Sequence, residues 1–311
     1  LGSGSNYRVF LQNTAGNVVT IRSIGTHDKA ESIIEYRAMA NPATGVKGTL
    51  ELYGNNPGWD LRWKSDNTRY RFLIDGTDKD PPSSGCSSPC TGSGPNLPAV
   101  AATDANGKSD ADAEYDDYDN EWSGAGSCLS CDGGAAAGLV TNLGGTNKLG
   151  KDSIIQVADT YDWEALAQEL DNSPDRTISS DLDGVNQTWG SSSSPEIVLI
   201  DDSRIEDSTI TGYGVLLLKN DVRLRGNTTF NWEGLVIIYG AASDFRFETD
   251  SGTANIYGSV VLTGEDRRLD LDSGDRLNVY YSSLALSNTA PLFGSVGGWG
   301  GSVSWRLVRN Y

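Results

Sequence analysis

Gly214-Val-Leu-Leu-Leu218, Gly234-Leu-Val-Ile-Ile238 and Gly258-Ser-Val-Val-Leu262 repeat one pattern, a glycine followed by an apolar run. The glycines stand 20 and 24 residues apart. Shorter runs lie between them: Val222-Arg-Leu-Arg225, Phe245-Arg-Phe247 and Leu269-Asp-Leu271. Steady repeats of about 20 to 25 residues, each with two or three short strands, are the pattern of a parallel β-solenoid, in which no coil buries its apolar face without its neighbours. Lys219-Asn220-Asp221 and Arg225-Gly226-Asn227 suit coil corners, because Asn and Gly tolerate left-handed backbone. The pattern predicts stacked coils over 196–286, with Leu216, Ile237 and Val261 in one column. Leu277 to Leu286 and Ser302 to Val308 are expected to finish or cap the stack.

Upstream the texture differs. Tyr7-Arg-Val-Phe-Leu11, Val18 to Gly25 and Ala30 to Met39 alternate like strands around tight turns, which reads as a three-stranded meander. Short β runs follow around Gly48–Gly54 and Arg69–Gly76. Residues 79–150 are loop-rich and lack periodicity, as a functional insertion or a disulfide-tied surface would. One helix is predicted over Asp162–Leu170, with Trp163, Leu166, Ala167 and Leu170 on a single face and acids in its first turn. Ser191–Ser194, closed by Pro195, make a hinge. The fold class is therefore mainly β in three regions: a meander over 1–78, a loop-rich insertion with one helix over 79–195, and a β-solenoid-like domain over 196–311.

Acids number 42 and bases 24, a net charge of −18. That field repels phosphate backbones and anionic lipid, so nucleic acid is not an expected partner. One His and one Met rule out any mechanism needing two histidines. No apolar run of about 18 residues occurs, so no membrane span is expected in this chain. Leu1-Gly2-Ser3-Gly4-Ser5 reads as a flexible lead-in to a mature product, a fragment or one partner of a split subunit.

The cysteines form two close pairs, Cys86/Cys90 and Cys128/Cys131, both in Gly/Ser/Pro-rich segments. A zinc site and a redox dithiol compete with structural disulfides. The long gap between the pairs and the poor helix start after Cys131 favour disulfides in an oxidising extracellular compartment. Three connectivities remain open. The richest site candidate is the acid run in which Asp110, Asp112, Glu114, Asp116 and Glu121 occupy places 1, 3, 5, 7 and 12 of a calcium loop. Tyr115 stands where such a loop needs Gly, so an irregular calcium site of carboxylate oxygens is weighed against a solvated acidic loop. No other cofactor is expected. His27 reads as a turn residue. Asp201, Asp202, Asp244, Asp250, Asp270 and Asp272 invite a glycan-lyase or hydrolase reading, since paired carboxylates serve as acid and base, but fold alone does not license function. Nucleophile-elbow, P-loop and dinucleotide-binding motifs do not occur. Asn186-Gln-Thr188 and Asn227-Thr-Thr229 are glycosylation-type sequons.

The order of these elements resembles a known family. Tyr7 to Leu11, Ser23-Ile-Gly25, Gly54-Asn55 with Ile74-Asp-Gly-Thr-Asp78, the helix at 162–170, Glu196 to Asp201 and the run from Gly212 to Gly258 are similar to the extracellular part of PilX-like pilus-assembly proteins, large type IV minor-pilin-like subunits. The likeness covers roughly 7–78 and 160–265. It implies a pilin-like N-terminal meander and a non-enzymatic, extracellular structural subunit of a bacterial filament. The family's hydrophobic helix, which anchors the subunit in the membrane and packs the filament core, has no counterpart here. The expected partners are therefore other pilin subunits, or a partner chain that bears the helix. The alternative is a secreted β-helix that acts on or binds polysaccharide, as enzyme or adhesin.

Overall fold

The computed structural model describes residues 5–15, 18–27, 30–40, 45–54, 71–86, 89–113, 140–141, 153–159, 161–249, 252–264, 268–271, 276–293 and 299–306. Strands β1 (Ser5–Ala15), β2 (Val18–His27) and β3 (Ala30–Ala40) form the antiparallel meander, with Tyr7 opposite Gly25 and Ile24 opposite Ile33. His27 ends β2. A last strand, Trp299–Arg306, pairs with β3 through Val303 and Tyr36, so this segment closes the meander sheet and does not cap the solenoid. Its Trp-Gly-Gly-Ser-Val-Ser-Trp-Arg pattern alternates with period two, which suits an antiparallel sheet better than a strand buried on both sides.

All other long strands belong to one parallel system. In chain order they are β4 (Leu50–Tyr53), β5 (Arg71–Asp75), β6 (Lys79–Asp80), β7 (Cys90–Thr91), β8 (Val100–Ala102), β9 (Val140–Thr141), β10 (Ile154–Gln156), β11 (Arg176–Ile178), β12 (Leu182–Asp183) and β13 (Asn186–Trp189). There follow β14 (Glu196–Asp201), β15 (Arg204–Glu206), β16 (Thr209–Gly226), β17 (Thr229–Thr249), β18 (Thr253–Thr263), β19 (Arg268–Leu271) and β20 (Arg276–Tyr281), with Trp299–Arg306 as β21. Only β6 and β7 stand apart, as a small antiparallel pair.

Three faces wrap one core. The first holds β11, β14, then 214–219, 234–239 and 258–263. The second holds β13, 209–212, 229–233, 253–257 and β20. The third holds β12, β15, 221–226, 244–249 and β19. The C-terminal half is thus a parallel β-solenoid of about four turns. Asn220 and Gly226 take the left-handed backbone their corners require, at φ 60 and 62.

The stack then continues with strands from the other end of the sequence. β4 pairs with β18, β8 with β4 and β10 with β8 on the first face; β5 pairs with β20 and β9 with β5 on the second. Residues 50–53 and 71–75, which the sequence groups with the meander, are therefore solenoid strands. A local pattern shows that a strand is present but not which distant strand it adds to.

The core fills the solenoid with Leu216, Val236 and Val260 from the first face, Phe230, Trp232 and Ile256 from the second, and Leu224, Phe245 and Phe247 from the third. The first face is buried on its outer side too. There Leu217, Ile237 and Val261 meet helix α1 (Trp163–Asp171), while helix α2 (Ser283–Asn288) adds Leu286. Burial on both sides explains the unbroken apolar runs of 215–218 and 235–238. The predicted column needs correcting by one residue. Leu217, Ile237 and Val261 stack outside, and Leu216 stacks with Val236 and Val260 inside. A one-residue slip exchanges the two sides of a strand. Helix α1 forms as the sequence predicts: Asp162 caps it by accepting from the Ala165 N–H at 2.9 Å, and Trp163, Leu166, Ala167 and Leu170 are buried.

Candidate functional site

The third face carries the densest chemistry. Its strands alternate, sending Ile205, Val222, Leu224, Phe245 and Phe247 inward, all fully or almost fully buried. The residues between them point outward in columns. Arg204, Arg223, Arg246 and Asp270 form one; Asp221 and Asp244 form a second; Glu206, Arg225 and Glu248 form a third. Neighbouring strands lie about 4.8 Å apart, so like charges along a column would repel unless partnered.

Ion pairs supply the partners. Arg204 reaches Asp181 at 3.4 Å and Glu206 at 3.2 Å. Arg223 donates Nε to Asp221 Oδ2 at 2.9 Å and places a second N–H on the same oxygen. Arg246 donates to Asp244 at 2.7 Å and lies 3.6 Å from the other Asp221 oxygen. Arg225 binds Glu248 through Nε and Nη2, at 2.8 and 2.6 Å. The hydrogen bonds that Arg223 and Arg246 donate to Asp221 and Asp244 hold the two guanidiniums above their ordinary values. These nine groups make a lattice of fixed charge.

A groove of about 260 Å³ opens in this lattice beside the corner between the first and third faces, where Asp202, Ser203 and Arg204 meet Asp221, Arg223, Arg225 and Asp181. The corner shapes it. Asp202 and Asn220 both adopt left-handed backbone, at φ 46 and 60. The Asp202 N–H donates to Lys219 O at 3.1 Å, and Asn220 Nδ2 donates to Asp201 Oδ1 at 2.6 Å. Ser203 is buried and donates to Asp201 O at 2.9 Å.

Of the aspartates singled out on the sequence, Asp202 lines the groove, Asp201 accepts from Asn220, Asp244 binds Arg246, and Asp270 continues the arginine column at 5% exposure. Asp250 and Asp272 lie outside the described residues. The sequence does not mark the arginines as a site. Their signal is the alternation in Val222-Arg-Leu-Arg225 and Phe245-Arg-Phe247, which puts every arginine on the outer side.

The calcium-loop candidates divide. Asp110 and Asp112 stand on a helical stretch over 105–113, where Asp112 pairs with Lys108 at 2.6 Å. Residues two apart on a helix point about 200° apart, so these two carboxylates do not converge as places 1 and 3 of a loop would. Glu114, Asp116 and Glu121 lie outside the described residues. Among the described residues no three His, Cys, Asp or Glu side chains cluster as a metal ion needs. Cys86 and Cys90 form a disulfide with Cα atoms 6.0 Å apart, the local pairing among the three open ones. Cys128 and Cys131 lie outside the described residues. Both sequon asparagines, Asn186 and Asn227, are exposed. No helix among the described residues is long and apolar enough to cross a membrane.

No family model, curated protein or solved structure matches this chain. The site is therefore read from its own chemistry. A lattice in which Asp181, Glu206, Asp221, Asp244 and Glu248 each face an arginine is suited to stiffness and to binding.

Proposed function

We propose that the chain is a non-enzymatic structural subunit of an extracellular filament of the type IV pilus or pseudopilus kind, displaying its solenoid as a surface head. One observation carries this reading. β1 is an outer strand of the meander sheet, eleven residues long, and among the described residues only β2 pairs with it. Val9 and Phe10 at its middle are 55% and 46% exposed. Successive residues point to opposite sides of a sheet, so both sides are uncovered there. A long edge strand with bare apolar side chains is a template for adding another chain's strand. In this reading the occupant is a neighbouring filament subunit.

The third-face lattice adds support, since Asp181, Glu206, Asp221, Asp244 and Glu248 are all engaged by arginines. In this reading a hydrophobic helix, the subunit's own or a partner chain's, supplies the membrane anchor. The test is immunogold electron microscopy of the producing cells, with antibody raised against the solenoid and with Phe10→Lys cells in parallel. Regular labelling along native filaments, lost in the variant at equal protein level, is expected. Labelling confined to the periplasm or the medium would overturn the proposal, as would depolymerisation of a polysaccharide by the purified chain.

A further inference from the structure

We propose that the groove on the third face is a subsite for a neutral glycan. The inference stands whether or not the chain forms filaments. The groove places three aspartates (Asp181, Asp202, Asp221) and three arginines (Arg204, Arg223, Arg225) around one space, so its lining is formally neutral within a chain of net charge −18. An arginine only donates hydrogen bonds, and an ionised aspartate only accepts them. A sugar hydroxyl does both. A pair of adjacent hydroxyls can therefore bridge an arginine and an aspartate, donating to one and accepting from the other. Five N–H groups per guanidinium leave Arg223 donors beyond the two it places on Asp221.

Charge selects against the other ligands. A uronate or sulfate ester meets Asp202 and Asp221 at short range and the negative field of the whole chain at long range. A cationic polymer meets the three guanidiniums. A neutral, hydroxyl-rich ring meets neither penalty. Size agrees: sites for drug-sized molecules hold roughly 300–1,000 Å³, so a groove of about 260 Å³ takes a sugar unit rather than a large ligand.

The columns point to a chain rather than a free sugar. Arg204, Arg223 and Arg246 repeat the donor on each coil, and Asp221 and Asp244 repeat the acceptor. That spacing, about 4.8 Å per coil, is on the scale of one sugar unit in an extended glycan. The ligand then lies across the coils, with one unit seated in the groove and its neighbours on the lattice. The contacts are hydrogen bonds open to water, so the affinity is low, with a Kd on the order of 1 mM.

The experiment is calorimetric and NMR titration of the full chain with cellohexaose, maltohexaose, laminarihexaose and mannohexaose, alongside a hexagalacturonate and a chitosan hexamer. At least one neutral hexasaccharide should bind, with little dependence on salt. Arg223→Gln and Asp202→Gly should each weaken it five-fold or more; glycine keeps the left-handed backbone at 202, so that variant removes the acceptor without strain. Thermal unfolding checks that both variants fold, and Asp110→Asn, far in sequence and on another element, should bind as the parent does. The proposal is overturned if no neutral hexasaccharide binds at a concentration of about ten times that Kd, if only the charged oligomers bind, or if both folded groove variants bind like the parent.

Discussion

Trp163 donates its indole Nε1–H to Oε2 of Glu51 across 3.2 Å, joining residues 112 positions apart. Glu51 lies in register with Val261 and so continues the column of Leu217, Ile237 and Val261 beneath α1. A carboxylate thus stands where the preceding coils place aliphatic side chains, with no exposure to solvent. The Gly48 N–H donates to its Oε1 at 3.1 Å, and the Lys47 N–H donates to the same oxygen. Burial disfavours the charged form and pushes the Glu51 pKa up to about 7, while these three N–H donors pull it down. The bond marks the seam where the N-terminal strands join the solenoid.

The first prediction follows from that pKa. Unfolded, Glu51 ionises near 4.5; folded, it holds its proton to about 7. Between those values the native state binds more protons than the unfolded one, so raising the pH destabilises the fold. The effect is absent below 4.5 and complete above 7, and amounts to about 3 kcal/mol. Glu51→Gln removes it. Urea unfolding of parent and variant at pH 5 and pH 8 should show the variant gaining about 2–3 kcal/mol relative to the parent across that range. Parallel pH courses would mean that Glu51 is ionised in the fold throughout.

The solenoid was legible because one face is buried on both sides. That burial produced the repeated runs after Gly214, Gly234 and Gly258, and their spacing. Helix α1 was legible through its apolar stripe and the acids expected in its first turn. The coils from 50–53, 71–75 and 100–102 were not, because loops interrupt them and their neighbours lie far along the chain. The register was readable in principle: counting equal steps from the three glycines pairs Ile237 with Leu217. In the groove only Asp202 was singled out. The arginines beside it belong to a pattern that exists only once the coils are stacked.

The second prediction concerns those glycines. A Cβ on Gly258 would stand 1.8 Å from the Gly234 carbonyl oxygen, and its backbone sits at φ +144. Neither the stacked backbone nor that dihedral accommodates a side chain. Gly85 has a similar strain, at φ +97, but open space around it. Gly258→Ala should lose more than about 3 kcal/mol, and Gly85→Ala about 1 kcal/mol. Equal losses in thermal unfolding would show that dihedral strain alone, not coil packing, requires the glycine.

The third prediction is that the Cys86–Cys90 disulfide contributes little to global stability. It closes a loop of five residues, for which chain entropy allows about 2 kcal/mol at most. The segment that leads into this loop is held independently, since Ser83 donates its N–H to Glu233 Oε1 at 3.1 Å and its hydroxyl to Oε2. The Cys86→Ser/Cys90→Ser double variant should unfold within about 2 kcal/mol of the parent. Failure to fold at all would assign the disulfide a larger role than its loop length supports.

The last prediction concerns Asp78, which is 1% exposed and gathers three donors from two places. Its Oδ1 accepts the Ser283 N–H at 2.7 Å; its Oδ2 accepts the Ser283 hydroxyl at 3.0 Å and the Gly94 N–H. Ser283 opens helix α2, where a negative charge is favoured by the helix end. Glycines let the 92–94 backbone close over the carboxylate: a Cβ on Gly92 or Gly94 would stand 2.3 or 2.8 Å from Oδ2. Asp78 therefore ties a loop from the first third of the chain to the helix that follows the last solenoid coil. Asp78→Ala leaves the Ser283 and Gly94 N–H groups without an acceptor and should lose about 3–5 kcal/mol. Asp78→Asn keeps one acceptor oxygen but turns an amide N–H₂ toward the remaining donors, so it should lose less than alanine yet remain below the parent. Urea unfolding ranks the three proteins, and limited proteolysis between 82 and 96 reports whether the loop has come away. If alanine is tolerated, or if asparagine matches the parent, the charge of Asp78 is not what fastens the loop to the helix.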